Sequence, residues 1–162
     1  MAGFVVIVME NMAGHTLAAG TAVRQFSVFL QNRVGALSSV VNLLEEAHVI
    51  VIGLSVLDSV DTTVVRMVVS APDTVRDLFH KHSIPFTEVE LLVVDLPEGA
   101  ASLGRCLLTL LMAEVNIHFS YPLITHPGQS SLLAFHLDDA DFGRTVLSSN
   151  GFKVLCQEDL SR

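Results

Sequence analysis

The 162-residue sequence predicts an α+β protein made of two consecutive βαββαβ units, and three observations carry that prediction. The chain repeats itself: a shift of 66 residues lays Leu37 on Leu103, Val41 on Leu107, Leu44 on Leu110, Val49 on Val115 and Val51 on Ile117 without a gap. Within each copy, apolar residues at helical spacing take turns with β-branched runs. Only Phe86–Leu96 is available both to end the first copy and to begin the second. Length alone suits one domain, but the repeat divides the chain into two units of about seventy residues.

In the first copy, Gln25–Gln31 reads as a strand with Phe26, Val28 and Leu30 on one side. Leu37, Val40, Val41 and Leu44 recur at helical spacing and predict a helix from about Gly35 to Ala47. Val49–Leu57 is a second strand, Asp58–Asp61 a turn and Thr62–Val69 a third strand. Asp73 is a natural cap for a second helix whose inward face is Val75, Leu78 and Phe79. Phe86 onward is strand again.

The second copy repeats the order. Leu103, Leu107, Leu110 and Leu111 mark its first helix, and Asn116–Ile124 and Ser130–Leu137 are its central strands. The offset grows by one or two residues there, because the loop around His126-Pro127-Gly128-Gln129 is longer than Asp58–Asp61. Asp138, Asp139 and Asp141 suit a helix start, Asn150-Gly151 ends that helix, and Phe152–Gln157 is the last strand. This order is the ferredoxin-like one, an antiparallel four-stranded sheet with both helices on one face. The expected division is 1–22 as an extension, 23–92 as the first unit and 93–162 as the second. Phe86–Leu96 should be one extended segment that holds the two sheets in fixed relation.

Composition limits the function. Nine Lys and Arg against 17 Asp and Glu give a net charge of -8, so a nucleic-acid partner is not expected. The chain is 51% hydrophobic and 16% charged, but no stretch reaches the roughly eighteen apolar residues of a spanning helix. No membrane partner is expected. The excess apolar surface should be spent between the two units and against a second copy. Residues 1–22 place no basic residue before the apolar run Phe4–Met9, which argues against a secretory signal. Two readings stay open there: a short extra strand, or a leader encoded upstream of the real start, with Met9 or Met12 as initiator. Cys106 and Cys156 form no ligand-spaced pair and read as buried thiols of a cytoplasmic protein. No metal site, cofactor loop or catalytic constellation is expected, since His80 and His82 would point to different sides of a helix.

One turn stands out chemically. Asn32-Arg33-Val34-Gly35-Ala36-Leu37 joins the first strand to the first helix. Glycine there permits close backbone approach, the helix N-terminus behind it suits a carboxylate, and an asparagine amide can serve both ends of a zwitterion. The competing reading of Asn32 is a turn residue that bonds its own backbone. The turn resembles the Asp/Asn-x-Pro-Gly-x-Leu turn of ACT domains, with Val34 in place of the proline, and Val115-Asn116-Ile117 is similar to the opening of that family's second strand. From about Val23 the chain resembles a tandem ACT protein.

That resemblance implies a regulatory module with no catalytic activity that binds an amino acid between paired units. The residues it points to are Asn32, Val34, Gly35, Ala36 and Leu37 from the first copy and Asn116, Ile117 and Tyr121 from the second. The first copy has Ile50 at the second-strand asparagine position; the second has Glu98 and Ala101 at the loop asparagine and glycine positions. One competent and one degenerate site per chain are therefore expected, in a homodimer that acts on a target enzyme or regulator. Two alternatives stay open: a regulatory subunit of an amino-acid biosynthetic enzyme, similar to the small subunit of acetolactate synthase, and an interaction protein that binds no ligand.

Overall fold

The computed structural model describes residues 20–58, 62–126 and 128–161. The readings of residues 1–19 lie outside these. The elements are β1 (Val23–Gln31), α1 (Ala36–Glu46), β2 (Val51–Asp58), β3 (Thr62–Val69), α2 (Pro72–Lys81), β4 (Phe86–Leu96), α3 (Ala100–Met112), β5 (Ile117–Pro122), β6 (Ser131–Leu137), α4 (Ala140–Ser149), β7 (Val154–Leu155) and α5 (Gln157–Leu160). Two βαββαβ units follow one another, as the repeat predicts.

β4 belongs to both. Its first half pairs antiparallel with β1, from Val28↔Phe86 to Val23↔Leu91. Its second half pairs with β6, from Leu92↔Phe135 to Leu96↔Ser131, and with β7 through Val93 and Val94. The sheet order is β2-β3-β1-β4-β6-β5, with β7 on β4. Strand alternation then decides which core each side chain enters. Phe26, Val28, Val65, Met67 and Val69 join Val40, Leu44, Val75 and Phe79 under α1 and α2. Leu92, Val94, Leu96, Phe135 and Leu137 join Cys106, Leu110 and Leu147 under α3 and α4.

The opposite faces of the two half-sheets pack on each other. Val23, Val68 and Leu91 of the first unit meet Val93, Tyr121, Leu123, Ala134 and Leu155 of the second. Part of the high apolar content lies in this seam. The far strands β2 and β5 touch at one bridge, Gly53↔Leu123, beside a bond from Ile124 N–H to the Ile52 carbonyl. Gly53 lets the two strands approach there, since a Cβ would meet Leu123 Cδ2 and displace that side chain.

The repeat is also written in backbone geometry. α1 and α3 both end in a left-handed residue, His48 (φ 56) and Glu114 (φ 57), also 66 apart. The next N–H then bonds back to the helix, Val49 to the Leu44 carbonyl and Val115 to that of Leu110. α2 and α4 end likewise at Ser83 and Gly151.

Several local expectations need correction. Asp73 does not cap α2: Pro72 takes the first helical position, Ala71 is the cap, and the Asp73 carboxylate accepts from Arg24 and Arg76 instead. The expected strand Asn116–Ile124 covers only Ile117–Pro122, since the chain bends toward β2 after Pro122. The expected strand Phe152–Gln157 shrinks to Val154–Leu155. Its last residues turn into α5 because Gln157 is buried against the first unit, where it takes the Arg24 N–H and donates to the Val69 carbonyl. Ala101 is not the counterpart of Gly35: α3 starts earlier than the shift implies, behind Gly99 (φ 57). Asp139 caps α4, accepting from the Phe142 N–H at 2.9 Å.

Candidate functional site

The turn between β1 and α1 has the backbone its sequence calls for. Gly35 is left-handed (φ 85, ψ -8) and caps α1, with no side chain accepting from the first-turn N–H groups. Val34 is fully exposed, while Ala36 and Leu37 are half-buried and Leu37 packs against the core under α1. The Asn32 amide donates to Asp58 Oδ1 at 3.0 Å, which ties the end of β1 to the end of β2. The Asn32 amide therefore reaches past β3 to the end of β2 rather than closing on its own backbone. Beside the turn, a groove of about 410 Å³ runs between α1 and the end of α2, lined by Arg33, Ala36, Ser39, Leu43, His82 and Ile84 among others.

The second-unit residues fall in three environments. Asn116 is exposed, and its N–H donates to Asp138 Oδ1 at 3.0 Å. Ile117 packs against the core under α3. Tyr121 is buried in the seam, where its hydroxyl donates to Gln25 Oε1 at 2.8 Å; burial holds the phenol well above its usual range. From the Gly53–Leu123 bridge, β2 runs to Asp58 while β5 runs back to Ile117. The Asn32 turn and Asn116 thus lie toward the same end of the seam; the Asn32 side-chain amide goes to Asp58 and the Asn116 backbone N–H to Asp138, and no hydrogen bond joins the two asparagines among the described residues.

Sequence reasoning missed three groups. Asp58 was only a turn residue by type, yet it supplies the carboxylate at Asn32. Gln25 is fully buried and joins both units, its Nε2 donating to Ser27 Oγ. Arg66 stacks on Phe119 of the other unit, 3.9 Å from the ring centroid. Strand alternation carried the signal for Arg66, the one charge in Thr62–Val69, on the face opposite Val65 and Met67. Burial pushes the Cys106 thiol up to about 11, and it is an inert core group. Among the described residues no three His, Cys, Asp or Glu side chains cluster as metal ligands, and no helix is long and apolar enough to cross a membrane.

Comparison with known proteins places this architecture. A comparison with curated proteins finds no match. Among solved structures, protein BT0572 from Bacteroides thetaiotaomicron superimposes with a TM-score of 0.81 at 20% identity, over 88% of this chain and 98% of that one. The ligand-free regulatory subunit of aspartate kinase from Thermus thermophilus aligns at 0.52 and 12% identity, over 82% and 92%. The Thermus flavus counterpart aligns at 0.53 and 10%, over 80% and 90%. At such identities these likenesses speak for the fold. The family model described as an ACT domain pair matches residues 21–162, nearly everything described above, and the chain belongs to that family.

Proposed function

We propose that this protein is an amino-acid-binding regulator without catalytic activity of its own, and that the ligand sits at the Asn32–Leu37 turn. The observation that carries the reading is the pairing of opposite polarities at that turn. The uncapped start of α1 behind Gly35 offers N–H groups and a partial positive charge to a carboxylate. Asp58 at the end of β2, held by Asn32 three residues before Gly35, offers negative charge to an ammonium group. A free amino acid carries both. The adjoining groove has the size of a small-molecule pocket, and Asn116 at the same end of the seam is the second-unit group nearest in role.

The second unit is the degenerate copy in this reading. Its helix start keeps a positive-φ glycine, Gly99, but Leu96 stands three residues before it where Asn32 precedes Gly35. One ligand per chain follows. A ligand of about eight heavy atoms binds in the micromolar to millimolar range, which suits metabolite sensing in the cytoplasm.

Regulation needs a partner, and two forms are consistent with the fold: a free-standing sensor, or the regulatory subunit of an amino-acid biosynthetic enzyme. The solved neighbours described as aspartate kinase regulatory subunits favour keeping the second form in view. Co-purification of a catalytic subunit with the tagged chain selects it. A thermal-shift screen of the common amino acids tests the binding claim: a responder whose shift is lost in Asn32→Ala supports the site, and a flat screen supports an interaction protein that binds nothing.

A further inference from the structure

The mouth of the seam between the two half-sheets collects cation-capable side chains. Arg66 of β3 lays its guanidinium over the Phe119 ring of β5 at 3.9 Å. Phe119 in turn stacks on His136 of β6, with centroids 4.9 Å apart and planes 17° apart. His118 stands beside His136 at 5.1 Å. Arg66 lies opposite Ser27 on β1 and Ser55 on β2, so both cross-strand neighbours on that face carry hydroxyls. His118 is exposed, and Arg66, Phe119 and His136 are half-buried, so a small solute reaches the cluster from solvent.

Among the described residues no ion pair reaches the cluster. Arg24 and Arg76 each have carboxylates, Asp73 and Glu88, at hand. Arg66 has no ion-pair partner among the described residues, and His136 Nδ1 is buried with no hydrogen-bond partner. Asp138, two residues beyond His136, gives its Oδ1 to the N–H groups of Asn116 and Asp139. Burial, then His118 and Arg66, hold His136 below its ordinary range. Tyr121, the other titratable group in contact, stays neutral in the seam. In a chain of net charge -8 this concentration of donors runs against the average.

We propose that this seam mouth is a small-oxyanion site in which Arg66, His118 and His136, on the Phe119 platform, hold a carboxylate or phosphate group. The guanidinium supplies a planar donor fork, and the anion offsets the mutual repulsion of the two imidazoles and the guanidinium. Because Arg66 comes from the first unit and the imidazoles from the second, an occupant bridges the two units. The site is separate from the Asn32 turn: Asp58 lies three residues beyond Ser55 along β2, about 10 Å away.

The test follows the imidazole C–H resonances of His118 and His136 by NMR through a pH titration of the full chain. It is run in sodium chloride, in sodium acetate and in inorganic phosphate at equal ionic strength. The expected result is a His136 midpoint raised by about half a unit or more in acetate, phosphate or both, relative to chloride. The arm that responds more strongly names the head group. The rise should disappear in Arg66→Gln, survive in Arg66→Lys at reduced size, and be unchanged in Asn32→Ala. Equal midpoints in all three salts, or a rise that persists in Arg66→Gln, overturn the proposal. Should Arg66→Gln fail to fold, His118→Asn replaces it, with a smaller rise expected and an undiminished rise contradicting the site.

Discussion

The Tyr121 hydroxyl donates to Gln25 Oε1 at 2.8 Å across the seam, joining residues 96 positions apart in two different units. Both side chains are buried, Gln25 completely, and the Gln25 amide is completed by Ser27 Oγ. Tyr121→Phe keeps the packing and strands Oε1 in an apolar environment. A loss of about 1–2 kcal/mol in unfolding free energy is expected, measured by urea denaturation. Adding Gln25→Leu should recover part of it, since an apolar pair leaves nothing unsatisfied.

His48 and Glu114 hold the left-handed position that ends α1 and α3. An L-residue there is strained by about 1–2 kcal/mol, and glycine relieves the strain at an entropic cost of about 0.5–1 kcal/mol. His48→Gly and Glu114→Gly should each stabilise the protein by up to about 1 kcal/mol. Gly151 at the end of α4 is the built-in comparison, and Gly151→Ala should destabilise. Thermal denaturation of the three variants checks the signs.

The Thr21 hydroxyl and N–H donate to the Glu158 carboxylate, tying the C-terminal turn to the start of β1 and holding that carboxyl down to about 2 from an ordinary 4.5. A carboxyl depressed in the folded state stabilises above its unfolded pKa and loses that contribution as pH falls through the folded one. The contact should therefore persist at neutral pH and weaken between about pH 4.5 and pH 2. Amide exchange at Thr21 and along α5, taken relative to the intrinsic rate at each pH, is expected to accelerate in that window. In Glu158→Gln it should be fast already at pH 6, and an unchanged exchange rate in that variant would contradict the role of the contact.

The outward face of α3 carries Leu108, Leu111 and Met112, exposed by 55%, 69% and 76%. The corresponding positions on α1 are Asn42, Glu45 and Glu46, so the fold itself does not require apolar residues there. We propose this face as the contact in a homodimer. Sedimentation velocity should show the wild-type chain as a dimer. The triple variant Leu108→Asn, Leu111→Glu, Met112→Glu, which copies α1, should be a folded monomer. A monomeric wild type, or a variant that still dimerises, rules this face out.

The layout of the fold was legible because it rests on signals that survive in a single sequence. The aliphatic positions of α1 and α3 match under one shift, and the apolar stretch Phe86–Leu96 had to serve two units. What escaped depends on three-dimensional competition. Pro72 displaced Asp73 from the cap, and the burial of Gln157 against β1 and β3 cut the last strand short. Gly99 opens α3 two positions before the residue that the shift aligns with Gly35, because α3 has 13 residues and α1 has 11. The geometry of the Asn32–Leu37 turn followed from its glycine, but its carboxylate, Asp58, comes from another strand and no local pattern announces it. Tyr121 looked like a ligand-lining group because strand alternation cannot say whether an open sheet face meets solvent or a second sheet.

Calorimetric titration of the full chain with the common amino acids reads ligand binding at the Asn32–Leu37 turn without an intermediary. Saturable binding of at least one of them is expected, with a stoichiometry of one per chain, a dissociation constant between about 1 μM and 1 mM, and at least tenfold weaker binding in Asn32→Ala. No heat of binding from any of them, or two equivalent sites per chain unaffected by Asn32→Ala, would contradict it.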